Sequence, residues 1–64
     1  MGSRLQRLRK RAGWTQEQLA RKARVPLTTL REWEQGRRAM RLEAAVKLAV
    51  ALSISLDELV GLKR

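Results

Sequence analysis

T-Q-E-Q-L-A-R-K-A-R-V-P-L-T-T-L-R-E-W, residues 15–33, decides how this chain folds. Thr15 and Gln18 have the spacing of a capping box. The Thr15 side chain can accept the backbone N–H of Gln18, and Gln18 can reach back to the N–H of Thr15. Trp14 and Leu19 stand at the two ends of the matching hydrophobic staple. Leu19, Ala20 and Ala23 then fall on one helical face. The pattern stops at Arg24-Val25-Pro26, where proline cannot continue a helix but suits a first turn. Leu30 and Trp33, three apart, turn one face of a second helix inward. Its other face carries Leu27, Thr28, Arg31, Glu32 and Gln35, which a core does not need. The stretch thus predicts two short helices, a tight turn and a free polar face.

The flanks extend the same pattern. Before the stretch, Ser3-x-x-Gln6 can cap a helix over about 3–12, with Leu5, Leu8 and Ala12 inward and Gly13 as its C′ residue. Arg9-Lys10-Arg11 lies on the last turn of that helix, where cations suit the dipole. The central pair occupies about 15–23 and 26–35, and Gly36 ends the second of them. Arg37 to Arg41 forms a basic connector. A fourth helix, about 42–52, buries Ala45, Leu48, Ala49 and Leu52, with Val46 beside them. Ser55-x-x-Glu58 is a third capping box, with Ile54 and Leu59 as its staple. It opens a last helix, about 55–61, packing Leu56, Leu59 and Val60. There is no strand alternation, internal repeat or low-complexity tract. The expectation is an all-α fold of five short helices around one core, a single domain over residues 1–64.

Composition narrows the function. A 64-residue chain buries only about 60% of its unfolded surface, which is marginal but enough to fold alone. Cysteine and histidine are absent, so disulfides and thiolate or imidazole metal sites are excluded. No cofactor is implied. The acids Glu17, Glu32, Glu34, Glu43, Asp57 and Glu58 form no plausible acid–base pair, so an enzyme is not expected. No apolar run approaches the roughly 20 residues that span a bilayer. The arginine-interleaved N-terminal segment does not read as a signal peptide. Lys and Arg number 15 against 6 acids, a net charge of +9. Residues 1–41 hold 12 basic and 3 acidic side chains, and residues 42–64 hold 3 of each. Positive charge gathered around the central stretch points to a polyanion. An anionic membrane surface fits poorly, because each helix's apolar stripe is needed for the core.

Three motifs then resemble a known family. They are G-W-T-Q-E-Q-L-A at 13–20, V-P-x-x-x-L-x-x-W-E-x-G at 25–36, and K-L-A-x-A-L-x-I-S-L-D-E-L at 47–59. Together they are similar to the phage repressor and Cro type of helix-turn-helix domain, an XRE-like, lambda-repressor-like fold. The resemblance runs from about Leu5 to Leu62. It implies a five-helix DNA-binding domain. Helix 2 would lie across the backbone, and helix 3 would enter the major groove.

The resemblance also implies roles. Gln16 matches a phosphate-clamping glutamine at a helix N-terminus, where free N–H groups and the dipole favour an anion. Ala20 matches the small residue between helices 2 and 3. Arg9 and Glu34 match a salt bridge between helices 1 and 3. Leu27, Thr28 and Glu32 match positions that touch base edges, with Arg31 and Arg38 as further base readers, since arginine to guanine is the commonest specific contact. Thr15, Gln16, Arg24, Gln35, Arg37 and Arg41 are the candidate phosphate contacts, with Arg38, Arg21 and Arg31 beside them. Leu27 would meet a thymine methyl or fold back on Val25. Glu32 would accept from cytosine N4 or hold an arginine in position. Trp14 and Trp33 read as core and staple, and Arg4, Arg7, Lys63 and Arg64 as solvated.

Three positions depart from the family pattern. Arg24 and Ser53 stand where glycine is usual, and Pro26 stands where a Ser or Thr N-cap is usual. A left-handed backbone at a non-glycine residue costs on the order of 1–2 kcal/mol.

The expected function is sequence-specific double-stranded DNA binding of the transcription-regulator type, acting by steric repression. The partner is duplex DNA, with no membrane and no small-molecule substrate. The alternative is an antitoxin-like or adaptor-like protein-interaction module. The expected state is a monomer in solution and a possible dimer on DNA. The expected location is cytoplasmic, at a bacterial or phage nucleoid. Three neat capping boxes, the bare Met1-Gly2-Ser3 start and the missing effector region lean toward a designed member of the family.

Overall fold

The capping box written at residues 15–18 is complete in the structure, a computed structural model that describes residues 2–61, with side chains from Arg4 to Gly61. Thr15 Oγ1 accepts the Gln18 N–H at 3.1 Å, and Gln18 Oε1 accepts the Thr15 N–H at 2.8 Å. Among the described residues the chain forms five helices and no strand: α1 (Gly2–Arg11), α2 (Gln16–Ala23), α3 (Leu27–Glu34), α4 (Leu42–Leu52) and α5 (Leu56–Val60). Ser3 lies within α1. Its expected capping side chain falls outside the described residues, as do Leu62, Lys63 and Arg64.

Four of the helices end in the same way. The residue after the last turn is left-handed, and two backbone N–H groups return to the orphan carbonyls, as in a Schellman closure. Gly13 and Gly36 supply this conformation after α1 and α3, at φ 79° and 72°. Arg24 and Ser53 supply it after α2 and α4, both at φ 58°. The Val25 N–H reaches the Ala20 carbonyl at 3.0 Å, and the Ile54 N–H reaches the Ala49 carbonyl at 3.0 Å. The left-handed backbone is thus kept at both positions without glycine. Pro26 is the N-cap of α3 and makes no side-chain capping bond.

The main packing contacts close a ring: α1 on α3, α3 on α2, α2 on α4, α4 on α5, and α5 back on α1. Leu5, Leu19, Leu30, Leu48 and Leu59, one from each helix, are fully buried at its centre. Trp33, Leu8, Leu52 and five alanines complete the core. Ala20 and Ala23 are among them, and a small side chain there lets α2 approach its neighbours closely.

Several details differ from the pattern read in the sequence. Ala12 is exposed, because α1 ends at Arg11 and Ala12 belongs to the turn. Val46 is exposed on α4, while Ala51 is buried. Arg4 is not simply solvated: its Nε donates to the Glu58 carbonyl at 2.8 Å. The box at Ser55 is only half formed. Ser55 Oγ accepts the Glu58 N–H at 3.0 Å, but the Glu58 carboxylate accepts from Arg11 at 2.6 Å.

Candidate nucleic-acid interface

Glu34 is the hub of the candidate site. It sits at the last residue of α3 with its side chain almost wholly buried. Arg9, from α1, grips it with two bonds: Nε to Oε2 at 2.7 Å and Nη2 to Oε1 at 3.1 Å. Arg9 Nη1 donates to the Trp14 carbonyl at 2.8 Å. A bidentate pair of this kind satisfies most of both charged groups, which burial requires.

The remaining capacity of Glu34 points outward. Gln16 Nε2 donates to Glu34 Oε1 at 3.1 Å, and Arg31 Nε donates to Gln16 Oε1 at 3.4 Å. A chain of polar contacts therefore runs from the turn after α1, through the buried pair, to the exposed Arg31 on α3. Gln16 is the first residue of α2, so its backbone N–H is one of the unsatisfied groups at a helix start. The start of α2 and the outer face of α3 are held together by side chains.

A second link ties α3 to the connector that follows it. Arg38 Nε donates to Glu32 Oε1 at 2.9 Å, across a partly exposed surface. The connector itself leaves α3 by the Gly36 turn, with the Arg37 N–H on the Glu32 carbonyl at 2.9 Å. Gln35, Arg37, Arg38 and Arg41 are all exposed along it.

The candidate residues are distributed as follows. Thr15, Thr28 and Arg31 are exposed, and Gln16 and Glu32 are half-buried. Leu27 is half-buried and packs against the core, so the outer face of α3 is less free there than its sequence implies. Of the two roles open to Glu32, the free protein has it holding an arginine, and that arginine is Arg38. Arg24 is exposed at the far end of α2 and makes no side-chain hydrogen bond or ion pair to the other candidates among the described residues. The bond from Gln16 to Glu34 was not legible in the sequence. Its only signal is that a buried bidentate carboxylate still has an unused lone pair.

Known proteins match the family pattern and the fold of this chain. A helix-turn-helix family profile matches residues 5–59. The chain belongs to the helix-turn-helix family. It is 41% identical over 58 residues to the cryptic phage CTXphi transcriptional repressor RstR of Vibrio cholerae, a match covering 91% of this chain and 52% of the repressor. The chain thus spans about half the length of that curated relative. The crystal structure of the restriction-modification controller protein C.AhdI from Aeromonas hydrophila is similar at a TM-score of 0.88 and 38% identity, over 91% of this chain and 88% of that one. None of these matches is to a catalytic family. No helix among the described residues is long and apolar enough to cross a membrane.

Proposed function

We propose that the chain is a sequence-specific, double-stranded DNA-binding domain of the transcription-regulator type, with α3 in the major groove and α2 across the phosphate backbone. One observation carries the reading. Hydrogen bonds donated by Arg31 to Gln16 and by Arg38 to Glu32 join the start of α2, the outer face of α3 and the basic connector into one polar surface. Phosphate contacts position such a domain and base contacts specify its site.

Thr15, Gln16, Arg24, Gln35, Arg37 and Arg41 are the proposed phosphate contacts, and Leu27, Thr28, Arg31, Glu32 and Arg38 the proposed base readers. Arg38 is free to reach a guanine only once it leaves Glu32. Occupancy of an operator would block transcription sterically, in the cytoplasm. The chain is proposed to be monomeric in solution and to pair on DNA when half-sites lie one helical turn apart.

Selection from random duplexes at about 0.15 M salt tests the reading. Enrichment of a defined site is expected. If no sequence is enriched and binding to all duplexes is equal, specific reading is wrong, and the adaptor-like alternative gains. Of the proposed phosphate contacts only Arg24, Arg37 and Arg41 carry charge, so about three phosphates are neutralised and the log–log salt slope should be about −3.

A further inference from the structure

α4 leaves three large apolar side chains in solvent. Leu42 is 67% exposed, Val46 45% and Val50 72%. They stand four residues apart, so they line one stripe of the helix. Single exposed apolar residues are ordinary, whereas a continuous apolar surface marks an interaction site.

The stripe leads into a groove between α4 and the end of α2. Ala23, Val46, Val50 and Ala51 give it an apolar floor, and Lys22, Arg24 and Lys47 stand around it. No acidic side chain lines it. None of the three cations is in an ion pair among the described residues.

We infer that this groove seats an acidic amphipathic helix presented by another protein. The apolar floor matches a stripe spaced i, i+4 and i+8, and the unpaired cations match carboxylates flanking that stripe. A second copy of this chain is a poor occupant. It would bring Lys22, Arg24 and Lys47 against their own counterparts, between two chains that each carry +9. A phosphate backbone would satisfy the cations and leave the two valines in water.

The occupant also has a regulatory consequence, which rests on the proposed DNA reading. Arg24 belongs both to the groove and to the candidate phosphate contacts. A helix seated there removes one phosphate contact, so the partner and DNA compete.

Two synthetic helices of identical composition test the docking by calorimetry on the full chain. One aligns its leucines at i, i+4 and i+8 between glutamates, and the other scatters them around the helix. At about 0.15 M salt the aligned peptide should bind at least ~10-fold more tightly. Val50→Ser should erase that advantage while leaving the circular dichroism and melting curve unchanged. Equal binding of both peptides would reduce the groove to a charged surface and overturn the proposal. Failure of both to bind would do the same. So would sedimentation showing a dimer that Val50→Ser dissociates, which would assign the stripe to a second copy. The competition is read separately, with the selected duplex. Unchanged peptide affinity on the DNA-bound chain would overturn the competition alone. If no duplex binds, the DNA reading fails and the peptide result still decides the groove.

Discussion

Arg9 and Glu34 form a bidentate ion pair at 2.7 and 3.1 Å with both side chains less than a tenth exposed. The pair joins the first helix to the third across a separation of 25 residues. Burial makes it costly to break from one side. Glu34→Ala should leave the Arg9 guanidinium buried without its counter-charge and lose about 3 kcal/mol, the lower end for a broken buried pair. Replacing both residues, as in Arg9→Met with Glu34→Leu, should recover most of that loss. Urea denaturation of the two variants beside the parent chain checks both statements. A double variant as unstable as Glu34→Ala would show that the charge pair itself supplies the stability.

Arg24 and Ser53 share a left-handed backbone, which separates stability from binding. Each change to glycine should stabilise the fold by roughly 0.5–1 kcal/mol, by removing the penalty on a Cβ at positive φ. For a domain of this size that is a rise in Tm of about 2–8 °C. Arg24→Gly should also weaken binding to every duplex and lower the salt slope by about one. Ser53→Gly should leave DNA affinity unchanged. Equal DNA affinity for both variants would remove Arg24 from the phosphate contacts.

Glu32 and Gln16 should differ in kind when truncated. Glu32→Ala frees Arg38 and removes a candidate base reader, so the selected site should change at one or two positions. Gln16→Ala should weaken all duplexes by a similar factor, because a phosphate contact carries no sequence information. Repeating the duplex selection with each variant distinguishes them. A uniform loss for Glu32→Ala would leave it the role of holding Arg38.

At α5 the two halves of the interrupted capping box should have unequal weight. Ser55→Ala removes the cap on the Glu58 N–H and should cost about 1 kcal/mol. Arg11→Ala breaks a surface ion pair at 2.6 Å and should cost well under 1 kcal/mol, because solvent screens both partners. Thermal melts of the two variants give the ranking directly.

The helices and their ends were largely legible, because their signals are local. Thr15 and Gln18 are three residues apart, Gly13 and Gly36 follow the last turns, and Pro26 blocks continuation of α2. The Arg9–Glu34 pair was legible only through family resemblance. What was not legible depends on partners far along the chain. Arg4 is bound to the Glu58 carbonyl 54 residues away, and Arg11 takes the Glu58 carboxylate 47 residues away. The second of these also undoes a local rule, since a charged donor outcompetes the backbone N–H that a capping box would offer. Ala12 and Val46 failed for a different reason. Periodicity marks an apolar face, but it does not say how wide a neighbouring helix is or where the last turn stops. In the candidate site, the exposed face of α3 was legible, while the tethering of Gln16 and the docking of Leu27 on the core were not.

The ring of helices closes where Arg4 meets α5. Its guanidinium lies so near Gly61 that a Cβ there would stand 3.1 Å from Arg4 Nε. The start and the end of the described chain therefore guard each other from fraying. Amide protons of α1 and α5 should exchange with solvent in a single cooperative event rather than separately. Gly61→Ala, which crowds Arg4 and strains a backbone at φ 77°, should speed exchange in α1 as well as in α5.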